Sequence, residues 1–146
     1  MNEIPLENQS GKLYISSLYA LSDIEKNNIH VVISLCPIFQ SLNVEHHYKY
    51  SIADSSDLQS VETMKHILEE TRNNIDTFIK KGKNVLVHCH AGISRSSTVV
   101  IDYICAFYYF PNCISQTDCT YEYVKFFRPI IRPNDGFYKL LKSLYN

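Results

Sequence analysis

The sequence predicts a single α/β domain: a mostly parallel, twisted central sheet of four to five strands with helices on both faces. Three observations lead there. Short β-branched apolar runs alternate with longer stretches whose apolar residues recur at three- and four-residue intervals, the order expected of strands joined by helical crossovers. The chain has 146 residues, 45% of them hydrophobic and 20% charged, which suits one globular core and requires no second domain. No internal repeat or low-complexity tract breaks the pattern.

Residues 1–10 are polar and expected to be loosely held, leaving 11–146 as the folded domain. Leu13 to Leu21 reads as a short strand and the start of a helix capped near Ser22 or Asp23. His30 to Leu35 is a β-branched buried strand stopped by Pro37. His47 to Asp54 alternates as a third strand would, then gives way to polar residues. From Ser60 to Lys81, Met64, Ile67, Leu68, Ile75, Phe78 and Ile79 mark one face of an amphipathic helix that Gly82 terminates. Val85 to His88 is a short buried strand. Thr98 to Phe110 is apolar nearly all round and reads as a buried helix ended by Pro111. A polar link leads to a helix through Tyr121, Val124 and Phe127. Asn134 and Asp135 can cap a final helix whose apolar face is Phe137, Leu140, Leu141 and Leu144.

The segment from Asn84 to Thr98, NVLVHCHAGISRSST, organises the rest. It runs from a buried strand through a loop into a helix, with Cys89 at the strand's end and Arg95 six residues on. Such a loop gathers backbone N–H groups around one point, and the free N–H groups and dipole of the following helix aim there too. That point suits an anion. The helix terminus and the guanidinium of Arg95 both favour thiolate over thiol at Cys89, and the planar fork of Arg95 can hold two phosphate oxygens at once. Open α/β sheets bind ligands beyond the carboxyl ends of their strands, where Cys89 lies.

His88 to Ser96, HCHAGISRS, resembles the signature loop of the protein tyrosine phosphatase superfamily, and the residues around its Arg look most like the dual-specificity branch. YSIAD and the stretch Tyr121 to Leu141 extend the likeness over most of the chain from about residue 12. The resemblance implies a phosphatase that hydrolyses phosphotyrosine and phosphoserine or phosphothreonine in proteins. In that reading Cys89 is the nucleophile, Arg95 binds the phosphate, and Asp54 is the general acid and base, with Asp57 as the competing carboxylate. The hydroxyl of Ser96 donates to the Cys89 sulfur. Backbone N–H groups of His90, Ala91, Gly92, Ile93, Ser94 and Arg95 cradle the phosphate, and Gly92 lets the loop curl closely. His88 orders the loop from behind, while Arg128 and Asn134 brace it. Cys36, at the end of a neighbouring strand, is a candidate redox partner for Cys89. The family usually has glycine where Ser16 stands, which affects the first turn and no chemistry.

No cofactor and no metal are expected. In the HCH triplet, neighbouring side chains of a strand point to opposite faces, so Cys89 faces away from both histidines, and no second cluster has zinc spacing. The formal net charge of -1 offers no footprint for nucleic acid or an anionic membrane. No run is long enough to span a membrane, and MNEIPLENQS lacks the regions of a signal peptide. Five cysteines do not read as a disulfide framework and fit a reducing compartment, so a cytoplasmic protein is expected. The expected partners are phosphoprotein substrates, with the chain a monomer or weak homodimer. Two alternatives stay open: a phosphatase of RNA 5′ ends or phosphoinositides, and a pseudophosphatase that only binds phosphopeptides.

Overall fold

Strand β5 (Val85–His88) runs through the middle of a five-stranded sheet, flanked by β2 (Leu13–Ser16) and β3 (Val31–Ser34). The computed structural model describes all residues, Met1–Asn146. Both neighbours are parallel to β5, with His88 opposite Ser16 on one side and Ser34 on the other. Three strands therefore finish level, and Cys89 follows immediately beyond that shared carboxyl edge. Strand β4 (His46–Lys49) extends the sheet in parallel beyond β3, and β1 (Asn2–Ile4) pairs antiparallel with β2, giving the order β1-β2-β5-β3-β4.

Residues alternate across the sheet because successive side chains of a strand point to opposite faces. Val85 and Val87 join the larger core cluster, whereas Leu86 joins a smaller one with Tyr14 and Val32. The larger cluster takes residues from all four α-helices: α1 (Leu58–Lys80), α2 (Arg95–Phe107), α3 (Gln116–Phe127) and α4 (Asp135–Tyr145). The opposite face is covered by a 3-10 helix (Leu18–Asp23) and by Ile24 and Ile29. Helical cover on both faces is thus unequal, since four-residue strands present few apolar residues to the second side.

Several elements depart from expectation in ways their contacts explain. The N-terminus, expected to be loosely held, forms β1, with Ile4 fully buried and Asn2 held by Arg128. The first helical turn starts at Leu18, earlier than Ser22. Helix α1 starts two residues early because the Asp57 carboxylate accepts from the Ser60 N–H at 2.7 Å and caps it. Helix α2 begins at Arg95 and stops at Phe107. Beyond it the Gln116 side chain bonds both the N–H and the carbonyl of Phe110, at 2.9 and 2.8 Å, and holds that stretch out of the helix. Cys36, Cys89 and Cys105 are free, but Cys113 and Cys119 are joined by a disulfide at the start of α3, a pairing the cysteine spacing did not announce.

A buried carboxylate ties three helices behind the site. Asp102 of α2 is fully buried and receives two hydrogen bonds from Arg72 of α1, at 3.0 and 2.9 Å, and one from the Tyr145 hydroxyl of α4, at 2.5 Å. Burial pushes the Asp102 carboxyl upward, and the Arg72 fork and the Tyr145 hydroxyl oppose it. Removing one member of such a pair leaves an uncompensated buried charge, whereas replacing both with apolar residues does not. Arg72→Met is therefore expected to lower unfolding free energy by about 3–5 kcal/mol. In urea titrations the double change Arg72→Met with Asp102→Leu should recover most of that loss.

Candidate active site

The loop from Cys89 to Ser94 has its carbonyls turned outward and bonded there. The Cys89 carbonyl faces His88 Nδ1 at 3.2 Å, and the His90 carbonyl accepts from the Leu18 N–H at 2.9 Å. Arg128 donates to the carbonyls of Ala91 (3.2 Å) and Gly92 (2.8 Å). The Ile93 carbonyl accepts from the Arg132 N–H at 2.8 Å and the Ser97 hydroxyl at 2.6 Å. The Ser94 carbonyl takes the hydroxyls of Ser97 and Thr98. None of the N–H groups from His90 to Arg95 donates to a protein acceptor. Six donors in succession at the mouth of α2 form an anion cradle.

Gly92 makes the curl possible. Its φ is +69°, and a Cβ there would lie 2.4 Å from Arg128 Nη2 and 2.7 Å from the Ser16 carbonyl. Ser16 itself is buried with its hydroxyl bonded to the Ser17 carbonyl, so the position accepts a serine.

Cys89 is 2% exposed at the floor of this loop, with its sulfur 3.2 Å from the Ser96 hydroxyl. Arg95 is held by one nitrogen: Nη1 donates to the carbonyls of Leu35 (3.2 Å) and Ile52 (3.0 Å). Its Nε is buried and has no partner. A buried guanidinium N–H without an acceptor is costly unless a ligand supplies one. The contact with Ile52 also ties Arg95 to the segment that carries Asp54.

The two candidate carboxylates separate cleanly. Asp57 is the cap of α1, and hydrogen bonds from Ser60 and Ser55 hold its carboxyl below the usual range. Asp54 is exposed, and its Oδ1 receives the Ser94 hydroxyl at 2.6 Å and the Asn134 amide at 2.8 Å. Its other oxygen has no protein partner. Asn134 both braces and caps. Its backbone N–H donates to Ser94 Oγ at 2.9 Å while its Oδ1 accepts from the Phe137 N–H at 2.9 Å.

The remaining residues fall into place around this centre. Arg128 grips two loop carbonyls and Asn2 Oδ1 at once. His90, Ala91 and Ile93 line the exposed rim, and the Tyr19 ring stands edge-on to His90 at 5.9 Å. Cys36 is buried and free; burial pushes its thiol up, against the pull of Arg95. His88 is buried under the loop while His90 is exposed, so the HCH triplet diverges. No three His, Cys, Asp or Glu side chains gather where they could hold a metal ion.

Sequence reasoning missed Ser34 and His47. The Ser34 hydroxyl lies 2.6 Å from His88 Nε2 and 2.7 Å from His47 Nε2. The available signal was a polar residue ending an apolar strand beside the Cys89 strand, together with a histidine on the next strand. It also missed the backbone contributions of Leu18 and Arg132, which no side-chain pattern encodes. Taken together, the arrangement can hold a tetrahedral dianion over a sulfur nucleophile, with a carboxyl group at the rim.

The family model described as dual specificity phosphatase, catalytic domain, matches residues 13–146. A protein of Dictyostelium discoideum that carries the name of a dual specificity protein phosphatase is 40% identical over 136 residues, 89% of this chain and 32% of its own length. A protein of Invertebrate iridescent virus 6, named as tyrosine phosphatase 123R, is 45% identical over 89 residues, 61% of this chain and 55% of its own. The chain thus spans from about a third to about half of these curated relatives. The crystal structure of the Yvh1 phosphatase domain from Chaetomium thermophilum superposes with a TM-score of 0.79 at 22% identity, over 99% of this chain and 95% of that one, and speaks for the fold.

The buried histidine gives the site a pH signature. Burial holds His88 down to about 4 from an ordinary 6.5, and burial lowers His47 as well. The unfolded chain therefore binds more protons than the native one between these values. Stability is full above about pH 6.5 and is lost as pH falls toward about 4. Urea midpoints measured at about pH 7.5 and about pH 5 should show the native state weakened at the lower value.

Proposed function

We propose, for a chain that belongs to the dual specificity phosphatase catalytic-domain family, that it hydrolyses phosphotyrosine and phosphoserine or phosphothreonine in proteins through a phosphocysteine intermediate. The observation that carries this reading is the row of six unpartnered N–H groups, with the unpartnered Nε of Arg95, in the loop that follows the buried Cys89.

In this mechanism the thiolate of Cys89 attacks phosphorus in line with the departing oxygen, and the S–P bond forms as the P–O bond breaks. Asp54 gives its proton to the leaving serine, threonine or tyrosine oxygen; its unpartnered carboxylate oxygen at the rim supports that role. Three equatorial oxygens are met by the cradle and by Arg95, which stabilises charge where the transition state develops it. Asp54, now a carboxylate, takes a proton from water as the water attacks phosphorus. The S–P bond breaks, and the Ser96 hydroxyl at 3.2 Å donates to the departing sulfur. No step needs a metal, because the cradle and Arg95 meet the phosphate charge themselves.

Proteins are favoured as substrates over RNA ends or phosphoinositides because Arg95 is the only cation among the loop residues from His90 to Ser96. Retention of Cys89, Arg95 and Asp54 together favours turnover over mere phosphopeptide binding. No helix is long and apolar enough to cross a membrane. Cys36 serves as a protective partner. Peroxide oxidises the Cys89 thiolate to a sulfenic acid, and the Cys36 thiol then attacks that sulfur, forming a disulfide and releasing water.

Cys89→Ser should abolish p-nitrophenyl phosphate turnover while leaving oxyanion binding intact. Asp54→Asn should slow turnover of poor leaving groups by about a hundred- to ten-thousand-fold and of good ones far less; equal slowing of both would remove Asp54 from the acid role. After mild peroxide, reductant should restore the wild type better than Cys36→Ser. Equal recovery would exclude the protective disulfide.

A further inference from the structure

We propose that Ser34 and His47 are positioning residues that fix the proton arrangement of His88 and, through it, the first N–H of the phosphate cradle. The inference rests on the phosphatase reading for its effect on rate, but its proton assignment follows from geometry alone. Four groups form one chain: His47 Nε2 to Ser34 Oγ at 2.7 Å, Ser34 Oγ to His88 Nε2 at 2.6 Å, and His88 Nδ1 to the Cys89 carbonyl at 3.2 Å. Ser34 and His88 are fully buried, and His47 is partly exposed on β4.

Only one assignment of hydrogens satisfies this chain. A carbonyl oxygen can only accept, so His88 Nδ1 carries the hydrogen. A buried imidazole with no carboxylate among its bonded partners is neutral and has one N–H, so His88 Nε2 is bare and must accept. The Ser34 hydroxyl has one hydrogen and gives it to that nitrogen. Its bond with His47 must then be received, so His47 Nε2 donates, and in the neutral ring His47 Nδ1 is bare. The Cys89 carbonyl thus orders the whole chain, and a donor on β4, two strands from the catalytic strand, is the arrangement that supports the tautomer beneath the nucleophile.

The consequence reaches the cradle through one peptide plane. The carbonyl of Cys89 and the N–H of His90 belong to the same planar unit and point in opposite directions. Holding the carbonyl against His88 Nδ1–H turns the His90 N–H inward, as the first of the six donors. In the opposite tautomer a lone pair would face the carbonyl oxygen, and nothing would hold that plane.

The test reads tautomers and rates together, on the full chain. Long-range proton–nitrogen NMR of the ring nitrogens, at a pH where both histidines are neutral, should show His88 protonated at Nδ1 and His47 at Nε2. Either histidine in the opposite form overturns the proposal. His47→Met, which cannot donate, should lower kcat for p-nitrophenyl phosphate about tenfold, the worth of one neutral hydrogen bond. KM should hold, and an Nε2–H signal should appear for His88. His47→Gln, whose amide nitrogen can donate to Ser34, should restore kcat. Wild-type kcat in the Met variant, or a Gln variant that melts like wild type yet is as slow as Met, also overturns it. Should the Met variant not fold, the wild-type tautomers and the Gln variant decide. A wild type without any turnover would sink the phosphatase reading and leave the proton assignment standing on the NMR result.

Discussion

The constraint on which the rest depends is the division of one short loop into two faces. From Cys89 to Ser94 each carbonyl is bonded on the outside, to His88, Leu18, Arg128, Arg132, Ser97 or Thr98, and the N–H groups from His90 onward are left for the inside. A free peptide segment would not hold this arrangement, because six like-oriented dipoles repel and each N–H would seek an acceptor. The fold supplies the external bonds that make the inward-facing row stable without a ligand.

The architecture serves that division. Parallel registration of β2, β5 and β3 ends three strands at one level, so residues from the edges of two neighbours reach the loop that follows β5. Ser34 lies beneath the loop and the Leu35 carbonyl fixes Arg95 from one side. The connection between α3 and α4 crosses the other side, bringing Arg128, the Arg132 N–H and Asn134 to the loop's outer surface and to Asp54. Behind α2, the bond from Arg72 to Asp102 keeps the helix that carries Arg95 and Ser96 in place against α1 and α4. The site is thus held on every side by elements distant in sequence, which is how a mobile-looking loop becomes rigid enough to preorganise charge.

What could be read from the chain alone was whatever local spacing encodes. Cys89, Arg95 and Ser96 stand at fixed offsets on a strand, loop and helix, and the alternation of strands with amphipathic runs gave the α/β class. Asp54 was preferred to Asp57 from its place after a strand and from the family resemblance, but three residues apart both can face a helix start; only the bond from Ser60 assigns Asp57 to capping. Long-range pairing was not legible. Nothing in MNEIP announces a strand, since three residues before a proline carry no periodicity, and the bond between Asn2 and Arg128 spans nearly the whole chain. The end of α2 was misplaced because a side chain, Gln116, decides it from a later segment. His47 escaped notice because its significance exists only once Ser34 and His88 are beside it.

A crystal structure with tungstate, an unreactive tetrahedral oxyanion, tests the account most directly. The account predicts tungstate directly above the Cys89 sulfur, its oxygens accepting from the N–H groups of His90 to Arg95 and from Arg95 Nε, with the six loop carbonyls still bonded outward. Tungstate bound elsewhere, or a loop whose carbonyls turn inward when the site is filled, would contradict it.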